Sequence, residues 1–256
     1  MEDRNRKVLT QDEVDFYFKK GYLKGYQIFD KEEIEENEFG FQDLCRQLEP
    51  GETPNLIKGW EKTSPFIFSI ATDKRILNIV EDLIGPNILL WGTHFICKYP
   101  GDGTQVPWHQ DARYWPLTPH ETVTVWLAFD DCDADNSALL VIPGSHRLGL
   151  GAPDPGSPWG AAPSPRLRDT EFTADDAEVL DLKAGAISIH DDNVIHGSMP
   201  NNSTRRRVGL VMRFCTPEVK CDMRQWPGFR STLVRGSDHL KLNPSWDPSD
   251  IYMAAS

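Results

Sequence analysis

The chain has 256 residues, of which 39% are hydrophobic, and a formal net charge of −12. These values fit one large β-rich domain, or two small ones, with a packed core. The negative charge argues against binding to a nucleic-acid backbone, and the absence of any run of about 18 apolar residues argues against a membrane-spanning segment.

The cysteines indicate a reducing compartment. There are five of them, an odd number, and no Cys-x-x-Cys pair occurs, so we expect reduced thiols in a cytoplasmic protein. Residues 1–6 are mostly charged and no apolar run follows them. We therefore expect no secretory signal.

The first part of the chain, about residues 9–85, is predicted to be largely helical. Thr10 can cap a helix that ends at Gly21, and an extended segment follows. An acidic stretch over residues 31–47 predicts a second helix. Thr72 is expected to cap a further helix. The buried stripe of that helix would consist of Ile76, Leu77, Ile79, Val80 and Leu83.

The second part, about residues 88–216, is predicted to consist mainly of strands. The alternation of side chains between the two faces of a strand is clearest over residues 123–129. Residues 147–170 are rich in glycine, proline, serine and alanine and lack periodicity, so we expect a lid-like loop over about 147–175. The fold class is therefore mainly β with flanking helices, in a single domain over residues 1–256. The other predicted strands cover 88–99, 138–142, 179–182, 186–190 and 208–214.

The strongest chemical signal is the segment Trp108-His109-Gln110-Asp111. In a strand, His109 and Asp111 would point to the same side, so that an imidazole nitrogen and a carboxylate oxygen could bind one metal ion. His196 is available as a third ligand. Two histidines and one carboxylate leave three octahedral positions open, which is typical of non-haem Fe(II) oxygenases. Zn²⁺ could occupy the same ligands, so a zinc-dependent hydrolase is an alternative.

Four segments, in this order and spacing, resemble the phytanoyl-CoA hydroxylase-like family of Fe(II)/2-oxoglutarate dioxygenases. They are Trp-His-Gln-Asp at 108–111, Val-Ile-Pro-Gly-Ser-His at 141–146, His-Gly-Ser at 196–198, and Arg207. The resemblance covers about residues 9–214 and implies a double-stranded β-helix, the cupin-like jelly roll. It also implies Fe(II) and 2-oxoglutarate as cofactors and O₂ as cosubstrate. The family usually carries Asn-Gly before its second motif, whereas this chain has Asn136-Ser137, a difference in turn geometry.

The resemblance assigns a second set of residues to 2-oxoglutarate. Arg207 lies eleven positions after His196, and its planar guanidinium would bind the C5 carboxylate of the cosubstrate. Ser198 could donate its hydroxyl to the same carboxylate, and Trp126 matches a position where the family often places an aromatic ring. Arg213 would lie on the same face of the strand as Arg207 and is a weaker second candidate for binding this carboxylate.

The substrate is predicted to be a small molecule, such as an amino-acid derivative, an alkaloid or another specialised metabolite. The acidic composition, with Asp191 and Asp192 near His196, favours a cationic substrate. The presence of Asp111 disfavours halogenation, and His146 is expected outside the metal shell. The candidates for substrate binding are Tyr114, Trp115, Arg113, His94, Lys98 and His190, for which core packing is the alternative.

One alternative belongs to a different functional class, a non-catalytic jelly-roll protein that binds a small molecule. Such a protein would bind neither Fe(II) nor 2-oxoglutarate. A zinc-dependent hydrolase would instead be active without O₂ or a keto acid. The presence of all three candidate metal ligands, followed by Arg207, favours the oxygenase.

Overall fold

The computed structural model describes residues 6–150 and 172–253. Helix α1, Gln11–Lys20, has the bounds expected from the sequence. The Thr10 hydroxyl accepts a hydrogen bond from the Glu13 amide, and the Glu13 carboxylate accepts one from the Thr10 amide, a reciprocal capping box. Gly21 ends the helix in the left-handed conformation, with φ of 83°. Strand β1, Tyr22–Gln27, follows directly.

Four further helices are α2, Lys31–Cys45; α3, Pro65–Ala71; α4, Lys74–Ile84; and α5, Ser249–Met253. The prediction that Thr72 caps α4 is wrong. The Thr72 hydroxyl donates a hydrogen bond to the Phe68 carbonyl at 2.7 Å, and Thr72 lies at the C-terminal end of α3. Asp73 caps α4 instead, because its carboxylate accepts a hydrogen bond from the Arg75 amide.

The larger sheet has six strands in the order β1-β8-β5-β10-β2-β12, and every neighbouring pair is antiparallel. Val125 of β5 and Ile187 of β8 belong to the main core cluster, together with apolar residues of α1 to α4. Thr124 and His190 are cross-strand partners on the opposite, inner face. The remaining strands of this sheet are β2, Ile88–Lys98; β5, Val123–Ala128; β8, Ala186–Asp191; β10, Arg207–Cys215; and β12, Thr232–Arg235.

A four-stranded sheet, in the order β3-β9-β6-β7, lies against the inner face of the larger sheet. Its strands are β3, Val106–His109; β6, Leu139–Val141; β7, Glu178–Leu180; and β9, His196–Ser198. A small third sheet pairs β4, Leu117–Thr118, with β11, Lys220–Cys221. Two antiparallel sheets with helices outside one of them form the expected jelly roll, so the predicted fold class is confirmed.

Most of the loop predicted as a lid, residues 151–171, lies outside the described residues. The tail beyond residue 217 had no interpretation from the sequence, yet β12 extends the larger sheet by pairing with β2. Within residues 6–150 and 172–253, no helix has the length and apolar character needed to cross a membrane.

Candidate metal centre

Three side chains converge between the two sheets. Strands β3 and β9 pair antiparallel with His109 opposite His196, and the centroids of the two rings are 4.1 Å apart. Oδ1 of Asp111 lies 3.4 Å from Nε2 of His109 and 3.9 Å from Nε2 of His196. In the described part of the chain, this is the one group of three or more acidic, histidine or cysteine side chains placed to hold a metal ion.

The sequence predicted that Asp111 lies in the same strand as His109, but it does not. Strand β3 ends at His109, and Asp111 begins a short 3-10 helix, Asp111–Tyr114. Gln110 holds the turn in place, because it is fully buried and its side-chain amide donates to the carbonyls of Gly149 and Asn193. The carboxylate still reaches both imidazoles, so the geometry that strand parity predicted is obtained by a different backbone path.

The hydrogen bonds of the two imidazoles set their tautomers. Nδ1 of His109 lies 2.9 Å from the Pro107 carbonyl, and Nδ1 of His196 lies 3.0 Å from the Val194 carbonyl. A carbonyl oxygen only accepts, so each Nδ1 carries the proton and each Nε2 lone pair points toward the carboxylate. This is the arrangement that metal-binding histidines usually show.

The electrostatics of the cluster suit a divalent cation. Burial lowers the pKa of His196 well below its usual range, with further lowering by His109 and His190, so the ring is neutral. Burial opposes ionisation of Asp111, but contact with His109 and the nearby His196 and Arg213 lower its pKa overall. Two imidazole nitrogens and one carboxylate oxygen fit a three-ligand metal site with open positions, and among the described residues no cysteine joins them as in a closed structural zinc site.

Arg207 is a buried cation without an acidic partner in the described residues. The residue is 2% exposed, and its Nη groups lie 3.4 Å from Ser198 Oγ and 3.5 Å from the Ile96 carbonyl. Its Nε has no hydrogen-bond partner, and the guanidinium lies 5.4 Å from the Trp126 ring centroid. A buried, incompletely bonded guanidinium is a site for an anion.

Lys98 lies beside Arg207, opposite it in the register of β2 and β10. Its ammonium donates to the Met199 carbonyl at 2.6 Å and to Ser137 Oγ at 2.9 Å. Burial, and secondly the charge of Arg207, lower the pKa of Lys98 to about 7. Ser137 has a φ of 74°, so serine holds the left-handed position that the family usually gives to glycine.

The inner face of the larger sheet carries further unpartnered polar groups. Both ring nitrogens of His190 and the hydroxyls of Thr124 and Ser188 are buried without hydrogen-bond partners within residues 6–150 and 172–253. The His190 ring lies 4.6 Å from that of His196, and burial lowers the pKa of His190 to about 4. Each buried unpaired group is unfavourable by about 1–3 kcal/mol, so this face is suited to a polar ligand. The residues present therefore fit a dicarboxylate next to the metal ligands.

A cavity of about 550 Å³ lies beside the three candidate ligands. Tyr114, Trp115 and Arg113 line it, and the Tyr114 ring is 5.8 Å from that of His109. His94 is not in its lining, and its Nε2 contacts the Asn55 carbonyl at 2.8 Å. Sequence reasoning missed the other lining residues, for which no motif gave a signal; among them are Lys58, Glu61, Trp91 and Trp226.

His146 lies away from the three ligands, as the resemblance implied. Its Nε2 is 3.1 Å from the Phe18 carbonyl, and its ring packs so closely on Gly21 that a side chain there would collide with it. His146 therefore connects the second motif to the end of α1.

Known proteins share this architecture. The sequence profile of the phytanoyl-CoA dioxygenase (PhyH) family matches residues 8–209. A probable alpha-ketoglutarate-dependent hypophosphite dioxygenase of Stutzerimonas stutzeri is 27% identical over 231 residues, which is 82% of this chain and 78% of that protein. The non-heme monooxygenase ThoJ, in its apo form, is 21% identical with a TM-score of 0.78, covering 95% of both chains. CytC3 with Fe(II) and alpha-ketoglutarate is 22% identical with a TM-score of 0.68, covering 93% of both chains. The family match confirms the resemblance seen in the four sequence segments, and the chain belongs to the phytanoyl-CoA dioxygenase family.

Proposed function

We propose that this chain oxidises an unactivated C–H bond of a small molecule, most simply by hydroxylation. The enzyme class is that of an Fe(II)- and 2-oxoglutarate-dependent dioxygenase. In the overall reaction, the substrate C–H, 2-oxoglutarate and O₂ give the C–OH product, succinate and CO₂. The observation that carries the proposal is the convergence of His109, Asp111 and His196 within 4.8 Å, in a fold that also buries Arg207 without an acidic partner among the described residues.

His109, Asp111 and His196 would hold Fe(II) on one side and leave the other side open. The bound metal and cosubstrate would supply the two-electron oxidation of the C–H bond with O₂. The Pro107 and Val194 carbonyls keep both imidazoles in the tautomer that a metal needs. Burial of the cluster excludes bulk water from the reacting groups.

Arg207, Ser198 and Trp126 would position the cosubstrate. The guanidinium offers the C5 carboxylate two parallel donors, Ser198 Oγ adds a hydroxyl, and the Trp126 indole forms a wall beside the cation. Lys98 adds a second positive charge at the same end of β10. Because both cations are shielded from solvent, their attraction for a carboxylate is stronger than it would be at the surface.

The test is formation of succinate from 2-oxoglutarate with Fe(II), O₂ and a panel of small-molecule substrates. We expect substrate-stimulated turnover in the wild-type protein and loss of at least about a hundredfold in His109→Ala, because a metal ligand is removed. Arg224→Gln is a matched control, since Arg224 pairs with Asp222 at the surface. Turnover that persists in His109→Ala, or that needs neither O₂ nor 2-oxoglutarate, would reject the proposal.

Calorimetry separates the enzyme from a non-catalytic binding protein. Mn(II), a redox-inert substitute in this assay, should bind wild type and not His109→Ala, and 2-oxoglutarate should bind more tightly when Mn(II) is present. A protein that binds neither would fit the jelly-roll binding protein. A protein that is active with Zn²⁺ in the absence of O₂ would fit the hydrolase.

A further inference from the structure

The ion pairs of the arginines reveal where charge is left uncompensated. Of the twelve arginines in the described residues, six have an acidic partner there within hydrogen-bonding distance. Arg113 has no ion pair there, and Arg213 has only Asp111, at 3.9 Å. Nε of each is buried without a hydrogen-bond partner, and both residues line the 550 Å³ cavity beside the candidate metal ligands. The compensated arginines are Arg46, Arg75, Arg205, Arg206, Arg224 and Arg235.

Arg213 lies toward the other end of β10 from Arg207. The two residues are on the same face of the strand, six positions apart, so their backbones are roughly 20 Å from each other. Arg207 is opposite Lys98, whereas Arg213 is opposite Thr124, at the level of His190, and its Nε lies 3.9 Å from Asp111. Arg213 and the other cations of the cavity therefore offer a second place for an anion.

Other side chains define the shape of that anion. Arg213 lies over the rings of Trp91 and Trp115, at 5.7 and 5.0 Å from their centroids, which holds the guanidinium in one place. Lys58 and Lys62 line the cavity without ion pairs among the described residues. Burial, and secondly Arg213, lower the pKa of Lys58. An anion between these cations would relieve their mutual repulsion.

Glu61 adds an acidic side chain to the lining of this otherwise cationic cavity. The residue is fully buried, its Oε2 accepts a hydrogen bond from the Thr93 hydroxyl at 2.6 Å, and its Oε1 has no hydrogen-bond partner in the part of the chain that the structure describes. A free carboxylate oxygen in the lining favours a ligand that carries a donor, such as an ammonium or a hydroxyl group. It also disfavours a doubly charged phosphate, which it would repel.

We infer that the substrate of the proposed oxygenase is a small carboxylic acid with a hydrogen-bond donor near the carboxylate, as in an α-amino or α-hydroxy acid. Arg213 and Arg113 bind the carboxylate, Glu61 accepts from the donor, and the indoles of Trp91, Trp115 and Trp226 contact the apolar body. The inference rests on the proposed function, because the cavity adjoins the candidate iron ligands.

Binding can be measured without turnover, because tryptophans line the cavity and ligands should change their fluorescence. The probes are phenylalanine, 3-phenylpropanoate, which lacks the amine, and phenethylamine and phenylalaninamide, which lack the carboxylate. We expect phenylalanine to bind at least about tenfold more tightly than phenethylamine or phenylalaninamide, the two probes without a carboxylate. The affinity of 3-phenylpropanoate should lie between that of phenylalanine and those of these two probes. Equal binding of phenethylamine or phenylalaninamide, or no carboxylate-dependent signal, would overturn the inference.

Two variants separate this site from the cosubstrate site. Arg113→Gln should weaken phenylalanine binding about tenfold or more and leave 2-oxoglutarate binding unchanged. Arg207→Gln should do the reverse, and Arg224→Gln should change neither. Thermal melting checks that each variant is folded. If 2-oxoglutarate does not bind but phenylalanine still requires Arg113, the oxygenase proposal fails and the carboxylate site stands. Loss of phenylalanine binding in Arg207→Gln but not in Arg113→Gln would overturn the inference.

Discussion

At the scale of single residues, Arg207 differs from the arginines next to it in sequence. Arg205 and Arg206 form ion pairs with Asp133 and Glu38, whereas Arg207 is buried without an acidic partner in the described residues. Arg207→Lys keeps the charge but removes the planar pair of donors. We expect the KM for 2-oxoglutarate to rise about 10- to 100-fold, measured by succinate formation at saturating substrate.

Arg205→Gln is the matched control for this prediction, because Arg205 is two residues away and its ion pair with Asp133 is at the surface. Its KM should stay within about twofold of wild type, as expected for an exposed pair. If Arg207→Lys leaves the KM unchanged, or if Arg205→Gln raises it equally, the assignment of Arg207 to the cosubstrate is wrong.

Site residues were predictable from the sequence where a local spacing reflects the chemistry. His109 and Asp111 could be paired because two positions separate them, and Arg207 could be chosen over its neighbours by its offset from His196. Glu61 had no such signal. It precedes the strands, in the 3-10 helix Trp60–Lys62, and only the folded chain brings it to the cavity.

The expected cationic substrate illustrates the same limit. It rested on Asp191 and Asp192, which are close to His196 in sequence, but neither lines the cavity beside the metal ligands. Asp192 accepts hydrogen bonds from the Thr122 amide and the Asn193 side chain. The cavity is lined instead by lysines and arginines, which supports the anionic group inferred above and not the expected cationic substrate.

At the scale of elements, strand β10 carries the buried Arg207 and the partly buried Arg213, and Gly209 leaves room on the strand for the Trp126 ring. A Cβ at Gly209 would lie 2.0 Å from the Trp126 ring, which packs over this glycine and beside Arg207. Gly209→Ala should therefore displace the indole or the strand. We expect the free energy of unfolding to fall by about 1–3 kcal/mol, measured by urea denaturation, and 2-oxoglutarate affinity to fall as well.

Gly92 supplies the comparison, because it faces Arg213 on the neighbouring strand β2 and a Cβ there would meet nothing within 4 Å. Gly92→Ala should leave the stability within about 0.5 kcal/mol of wild type or raise it slightly. Equal stability of Gly209→Ala and Gly92→Ala would show that the Trp126 contact can relax without loss.

Elements were predictable where a cap or a strict alternation marked them. The Thr10 cap and the Gly21 end located α1, and alternation located β5. Helix α3 was missed, since Pro65 begins it and Thr72 ends it, so that a residue typical of a helix start stood at a helix end. The edge strand β12 was missed because its four residues pair only with distant β2.

At the scale of the whole molecule, charge is distributed unevenly. The chain has a net charge of −12, yet the cavity next to the candidate iron ligands is lined by Lys58, Lys62, Arg113 and Arg213 against one acid, Glu61. A net negative charge favours solubility in general, and a local positive field can still attract an anion into a cleft. The overall charge of a chain therefore says little about the charge of its ligand.

Two adjacent acids, the buried Asp192 and the partly buried Asp191, make the stability of the whole molecule depend on pH. Burial, and secondly the charge of Asp191, raise the pKa of Asp192 to about 8, so the folded protein keeps a proton that the unfolded chain releases near pH 4. The stabilisation that this bound proton provides is complete at pH values below the pKa of Asp192 in the unfolded chain. It is lost as the pH rises through the pKa of Asp192 in the folded protein. Between about pH 4 and pH 8, the free energy of unfolding should fall by up to about 1.4 kcal/mol per pH unit from this residue.

Asp192→Asn removes the titration while keeping the size of the side chain and its capacity to accept from the Thr122 amide. Relative to wild type, the variant should gain stability on the order of 1 kcal/mol for each pH unit between about pH 5 and pH 8, and the difference should then level off. Urea denaturation of chelator-treated protein measures this difference without a contribution from metal binding, which has its own pH dependence. Asp175→Asn is the control, because it makes the same substitution at an exposed aspartate. A flat profile for Asp192→Asn, equal to that of Asp175→Asn, would mean that Asp192 is ionised in the folded protein and that the pair of acids is compensated by another group.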